Sequence, residues 1–198
     1  MSAREDILSR VRHNRPAGDY GLPPIPQFAI PIDEQGRLET FSRTLKAMGG
    51  QLCRSSEMAS PITWIRGRFP DAKIVCSAVP EVPSDRAWSA IRKPQDLADV
   101  DVAVVRAVLG VAESGSVLFT EAELKVNTLA YLAQHLVVLL DESAIVAGLQ
   151  DAYMHSAFRT ARYAVFHTGP SATGDIEGVL IHGAQGVRSL TVIIGGYN

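Results

Sequence analysis

Val102-Ala-Val-Val-Arg-Ala-Val108 and His135-Leu-Val-Val-Leu-Leu140 are the stretches on which the fold turns. Each is a short, nearly continuous aliphatic run, and strands that read this way are buried on both faces, as in a parallel sheet. Lys73 to Val79, Ser116 to Thr120, Tyr163 to Thr168 and Ser189 to Ile194 read as further strands. Helical signals lie between them. From Arg37 to Met48 the apolar residues Leu38, Phe41, Leu45 and Met48 recur at helical spacing, Glu39 and Arg43 form an i,i+4 pair, and Gly49-Gly50 supplies the stop. Ala144 to Phe158 and Thr173 to His182 also read as helices. Alternating helices and strands imply right-handed crossovers, so the expected fold class is α/β: a three-layer α/β/α sandwich around a mostly parallel open sheet.

Outward from this core, residues 2 to 13 form a helix signal of their own, with Ser2 and Glu5 spaced as a capping box and Ile7, Leu8 and Val11 as an apolar stripe. Pro16, Pro23, Pro24, Pro26 and Pro31 then interrupt any continuation. The expected organisation is an N-terminal helix with a Pro-rich arm over 1–36 and one α/β domain over 37–198. A chain of 198 residues with 46% hydrophobic and 20% charged residues is long enough for one sizeable core and too short for two full domains.

The 19 basic and 21 acidic residues leave a net charge of −2, which argues against a general nucleic-acid binder. The longest aliphatic run, Leu136 to Leu140, is far shorter than the roughly 20 residues of a membrane-spanning helix. Met-Ser-Ala-Arg-Glu-Asp at the start has no apolar segment behind it, so the expected location is cytoplasmic. Cys53 and Cys76 cannot supply the four thiolates of a zinc or iron–sulfur site, and the five histidines show no metal-ligand spacing, so no metal site is expected in this chain.

Two segments stand out at junctions between elements: Gly110-Val-Ala-Glu-Ser-Gly-Ser116 and Gly169-Pro-Ser-Ala-Thr-Gly-Asp-Ile-Glu177. In an open α/β sheet, ligands bind outside the carboxyl ends of the strands. A helix starting after Gly169-Pro170-Ser171 would offer free N–H groups, and Ser171 and Thr173 could join them in holding a small carboxylate or phosphate. Asp175 and Glu177 would favour the first helical turn, and would repel an anion unless they face away, bind ligand hydroxyls or share a cation. Glu113, beside Ser114, Gly115 and Ser116, could serve as a buried base or nucleophilic carboxylate. It could equally bond backbone N–H groups and fix the turn. No nucleophile elbow, Walker loop or dinucleotide fingerprint is present.

At these residues the sequence resembles the lactate utilization protein C family, also called LutC/YkgG, over residues 40 to 196. The resemblance rests on Gly-x-Ala-Glu-Ser-Gly-Ser at 110 to 116, His135 opening a valine-rich strand, Gly-Pro-Ser-x-Thr-x-Asp-Ile-Glu at 169 to 177, and Gly183-x-x-Gly186 before the last strand. It implies a NagB/RpiA/CoA-transferase-like fold, in agreement with the alternation above. It also implies an accessory component of an oxidoreductase complex, working beside iron–sulfur subunits that oxidise L-lactate to pyruvate and carrying no cofactor of its own. Ala172 stands where the family commonly has Arg, and Gln185 and Val187 replace its common His and Pro. The alternative is a stand-alone enzyme of the CoA-transferase type, or a small-anion binder, using the strand-end cleft, with Glu113 as nucleophile or base. Self-association is left open by the sequence.

Overall fold

The computed structural model describes residues 2–16, 18, 21, 23–24, 26, 28, 30–170, 172–176, 179–182 and 186–197, the backbone alone for 172–176 and 179–182. The chain begins with α1 (Ala3–His13), α2 (Glu34–Ala47), β1 (Gln51–Arg54), α3 (Pro61–Arg68) and β2 (Val75–Ser77). It continues with β3 (Val102–Arg106), β4 (Leu109–Val111), β5 (Ser116–Thr120), α4 (Glu121–Leu124) and α5 (Leu129–Leu132). Then follow β6 (His135–Asp141), β7 (Ile145–Val146), α6 (Leu149–Met154), α7 (Ala157–Thr160) and β8 (Ala164–His167). The last elements are β9 (Ala172–Ile176), β10 (Val179–His182) and β11 (Ser189–Gly195).

Five of these strands form a wholly parallel sheet in the order β1-β11-β6-β3-β2. Alternation along them sorts side chains onto two faces. Val102, Val104, Val137, Leu139 and Ile193 face α3 and pack with Ile65. Ala103, Val105, Leu136, Val138, Leu140, Val192 and Ile194 face the other way, against Phe41 and Leu45 of α2. Helices therefore cover both faces, as expected for the α/β/α class. The topology follows from the crossovers: α3 carries the chain from β1 at one edge to β2 at the other, and the chain then steps back through β3, β6 and β11. Right-handed crossovers in opposite directions put their connections on opposite faces.

The second face holds more than helices. A four-stranded sheet, β7-β4-β5-β8, lies there with antiparallel β4–β5 and β5–β8 pairs and a parallel β4–β7 pair. Val117 and Phe119 of β5 point into the core shared with the parallel sheet, while Leu109, Val111 and Leu118 face Ala152 and Phe158 on the outside.

Two helix expectations are corrected. Ala144 to Phe158 is broken into β7, α6 and α7, because the Ile145-Val146 pair extends the edge of β4 and Gly148 caps the start of α6. Thr173 to His182 is not a helix: β9 and β10 form an antiparallel hairpin with Val179 opposite Ile176 and His182 opposite Ala172. Gly174, costly in a helix by about 1 kcal/mol, and the β-branched Thr173, Ile176, Val179 and Ile181 outweigh the weak helical period of this stretch. At the other end of the chain, α1 forms with the Ser2–Glu5 capping box and buries none of its residues.

Candidate functional site

The strand topology opens a cleft of about 620 Å³ over the carboxyl ends of β1, β11 and β6. β1 leaves its end toward α3 on one face, and β6 leaves toward β7 on the other. The crevice between connections that part in this way is where open α/β sheets bind ligands. Arg54, Asp141 and Gly195 are the last residues of the three strands, and Ser55, Ser56, Glu142 and Ser143 follow them in tight turns. Glu34, Arg37 and Leu38, from the first turns of α2, form the opposite wall. A Cβ on Gly195 would lie 2.4 Å from the Ser55 hydroxyl, so a larger residue there would displace that side chain.

The cleft's cations are only loosely paired. Arg37 stands 3.9 Å from Glu34 and Arg54 stands 3.7 Å from Glu142, distances well beyond the 2.7–2.9 Å usual for a charge-assisted hydrogen bond. The Arg37 Nε–H is buried with no acceptor among the described residues. Leaving such a donor unpaired costs about 1–3 kcal/mol, so an oxyanion entering the cleft would regain it. Asp141 is differently placed: the Ser143 hydroxyl and N–H donate to it at 2.7 and 2.9 Å and hold its carboxyl below the usual range, with Tyr197 N–H and Arg106 adding to the effect. It orients the turn. Tyr197, its hydroxyl pushed up by burial, lies beneath the Arg106 guanidinium, 5.1 Å from the ring, and packs against the α3-side core.

The two motif segments do come together, at a different place. β5 pairs with β8, the Ser114 hydroxyl donates to Ser116 at 2.9 Å, and Ser116 is hydrogen-bonded to Thr168. Both segments close on the C-terminal turn of α2. Thr44 donates to Ala112 O at 2.8 Å. Gly115, at φ 69°, has no room for a Cβ, which would sit 2.3 Å from Leu45 N. Gly169, at φ 60°, is equally confined, its Cβ position being 2.0 Å from Met48 O. Pro170 packs near Gly49. The backbone that these glycines admit is that of α2.

Glu113 is exposed rather than buried, and its carboxylate accepts the Leu149 N–H at 2.9 Å at the start of α6. This is the turn-fixing role that its position also allowed. None of Glu113, Ser114, Gly115, Ser116, Gly169 and Pro170 lines the strand-end cleft. Ser171 and Glu177 lie outside the described residues, and Thr173 and Asp175 are placed by backbone alone, in β9. With a hairpin in place of the expected helix, the free N–H groups and dipole that were to hold an anion there are not provided.

Arg37, Arg54, Asp141 and Ser143 were not singled out by the sequence. Asp141 and Gly195 were within reach, since each directly follows a strand legible from its aliphatic run. Among the described residues no three His, Cys, Asp or Glu side chains are grouped to hold a metal ion.

The LUD domain family model matches residues 38–194, from within α2 to the penultimate residue of β11. The chain belongs to the LUD domain family. Lactate utilization protein C of Geobacillus sp. (strain WCH70) is 28% identical over an alignment of 146 residues, and the match covers 67% of this chain. The match spans 61% of that relative's length. The resemblance to the lactate utilization protein C family drawn from the motifs is thus borne out. A crystal structure of a DUF162 family protein from Deinococcus radiodurans superposes on 84% of this chain and 100% of its own, with a TM-score of 0.62 at 16% identity. At that identity the likeness shows that this LUD domain shares the fold. Among the described residues no helix is long and apolar enough to cross a membrane.

Proposed function

We propose that this LUD domain protein acts in lactate utilization as a subunit without clusters of its own, beside iron–sulfur partners that oxidise L-lactate to pyruvate. In this reading the strand-end cleft receives a small carboxylate through Arg37. The observation that carries the role is the similarity to lactate utilization protein C over 146 residues. The unpaired, buried Nε–H of Arg37 at the topological switch point supports the ligand class.

The cysteines support the division of labour. Cys53 on β1 and Cys76 on β2 occupy opposite edges of the parallel sheet, four strand spacings or about 19 Å apart. Burial pushes both thiols above their ordinary pKa, which disfavours the thiolate a cluster needs. Cluster ligands would come from the partners.

Deletion of the protein from its source cells tests the role. Growth on L-lactate as sole carbon source should fail while growth on pyruvate continues. The wild-type chain should restore it, and Arg37→Gln should restore it poorly. Undiminished growth on lactate without the protein would overturn the reading.

A further inference from the structure

The opposite end of the parallel sheet carries a second cavity of about 400 Å³, at the amino-terminal ends of β3, β6 and β11. Arg68 enters it from the end of α3 and Arg188 from the segment leading into β11, whose N–H donates to Gln134 O at 2.7 Å. His135, the first residue of β6, stands between these elements. Its ring stacks on Phe69 at 4.3 Å, and its Nδ1 lies 2.8 Å from the Ser189 hydroxyl.

Among the described residues neither Arg68 nor Arg188 has a carboxylate within ion-pairing distance. Two acids also line the cavity. Asp101 is already engaged, one carboxylate oxygen accepting the N–H groups of Lys73 at 2.8 Å and Ile74 at 2.9 Å. Asp71 is exposed. Two guanidiniums without a carboxylate partner among the described residues thus share a concave site with a half-buried imidazole.

We propose that this cavity binds a doubly charged oxyanion, a phosphate group free or carried on a monoester, between Arg68 and Arg188. A guanidinium presents paired N–H donors in a planar fork, and two such forks match the charge and the oxygens of a tetrahedral dianion. The stem of β6, seven residues long, separates this site from the strand-end cleft by roughly 20 Å, so the proposal stands or falls independently of the lactate reading.

His135 couples the site to pH. Burial, then Arg188 and Arg68, lower its pKa, with Asp101 opposing, so the ring is neutral near pH 7 in the empty site. A bound dianion offsets the guanidinium charges and favours protonation. Affinity therefore rises as pH falls through the bound-state pKa.

Titration calorimetry on the full chain at low ionic strength tests this, with sulfate as the probe whose charge is constant around neutrality and chloride as the control. Saturable sulfate binding is expected, weakened about tenfold or more by Arg68→Gln and by Arg188→Gln, less by Arg188→Lys, and unaffected by Arg12→Gln on α1. Sulfate binding near pH 6 should take up protons, measured as a dependence of the heat on buffer, and His135→Gln should abolish that uptake. Inorganic phosphate and adenosine monophosphate separate the two sources: tighter binding of the nucleotide indicates a monoester site, and equal or weaker binding a site for free phosphate. Absence of saturable binding to the wild type would overturn the proposal. So would wild-type affinity in Arg68→Gln and Arg188→Gln chains that keep the wild-type melting temperature.

Discussion

Gly115→Ala is the sharpest test of how the Glu-Ser-Gly-Ser turn is used. At φ 69° the backbone is in the left-handed region, and an L side chain there costs about 1–2 kcal/mol. Space adds a second cost. The new Cβ would lie 2.3 Å from Leu45 N, 2.6 Å from Leu45 Cα and 2.7 Å from Thr44 C, all backbone atoms of α2 that no rotamer change can move. Relief to ordinary contact requires the turn and the helix to separate by roughly an ångström, disturbing Thr44's bond to Ala112 and the packing of Leu45; overpacking of this kind costs about 1–3 kcal/mol. The sum, about 2–5 kcal/mol, corresponds to a fall in melting temperature of roughly 4–20 °C for a chain of this size. Gly67→Ala, within α3 and with nothing within 4 Å of its Cβ position, is the matched control and should raise stability by about 0.5–1 kcal/mol. Thermal and urea unfolding of both variants decide the matter. A Gly115→Ala protein within 1 kcal/mol of wild type (about 2–4 °C in melting temperature) would show that α2 does not close on this turn, and would return the glycine to a role in admitting a ligand.

Two further outcomes follow from burial. His167 is partly buried beside Tyr131 and Phe119, its Nδ1 buried and unpartnered among the described residues, and burial lowers its pKa; the unfolded chain, with an ordinary pKa of about 6.5, therefore binds more protons as pH falls below that value. Stability should decline from about pH 6.5 downward, and His167→Gln should flatten that decline in urea titrations between about pH 5 and 7.5; an unchanged slope would refute the assignment. α1 buries no residue, and Ile7 and Val11 are 61% and 63% exposed, so removing residues 2–15 should leave the melting temperature within about 2 °C; a loss beyond about 5 °C would mean that the helix docks on the domain.

The aliphatic runs at 102–108, 135–140 and 189–194 were enough to place β3, β6 and β11, because a strand buried on both faces leaves few polar positions in its pattern. The capping box at Ser2 and the stripe through Phe41 and Leu45 placed α1 and α2 for the same local reason. The two broken helix readings fail where local signals are weak: between residues 172 and 182 glycine and β-branched residues compete with a short period, and at 145–146 a strand of two residues exists only because β4 lies beside it. The motif glycines were visible as glycines, yet what presses against Gly115 and Gly169 is α2, distant in sequence, and no spacing within either motif announces it. The cleft is the same case. Asp141 and Gly195 are legible as strand ends, whereas Arg37 and Arg54 reach them only because β1 pairs with β11 across the length of the chain. Periodicity records which face of an element avoids water; which elements then share a face is set by pairing and packing between segments far apart in the chain.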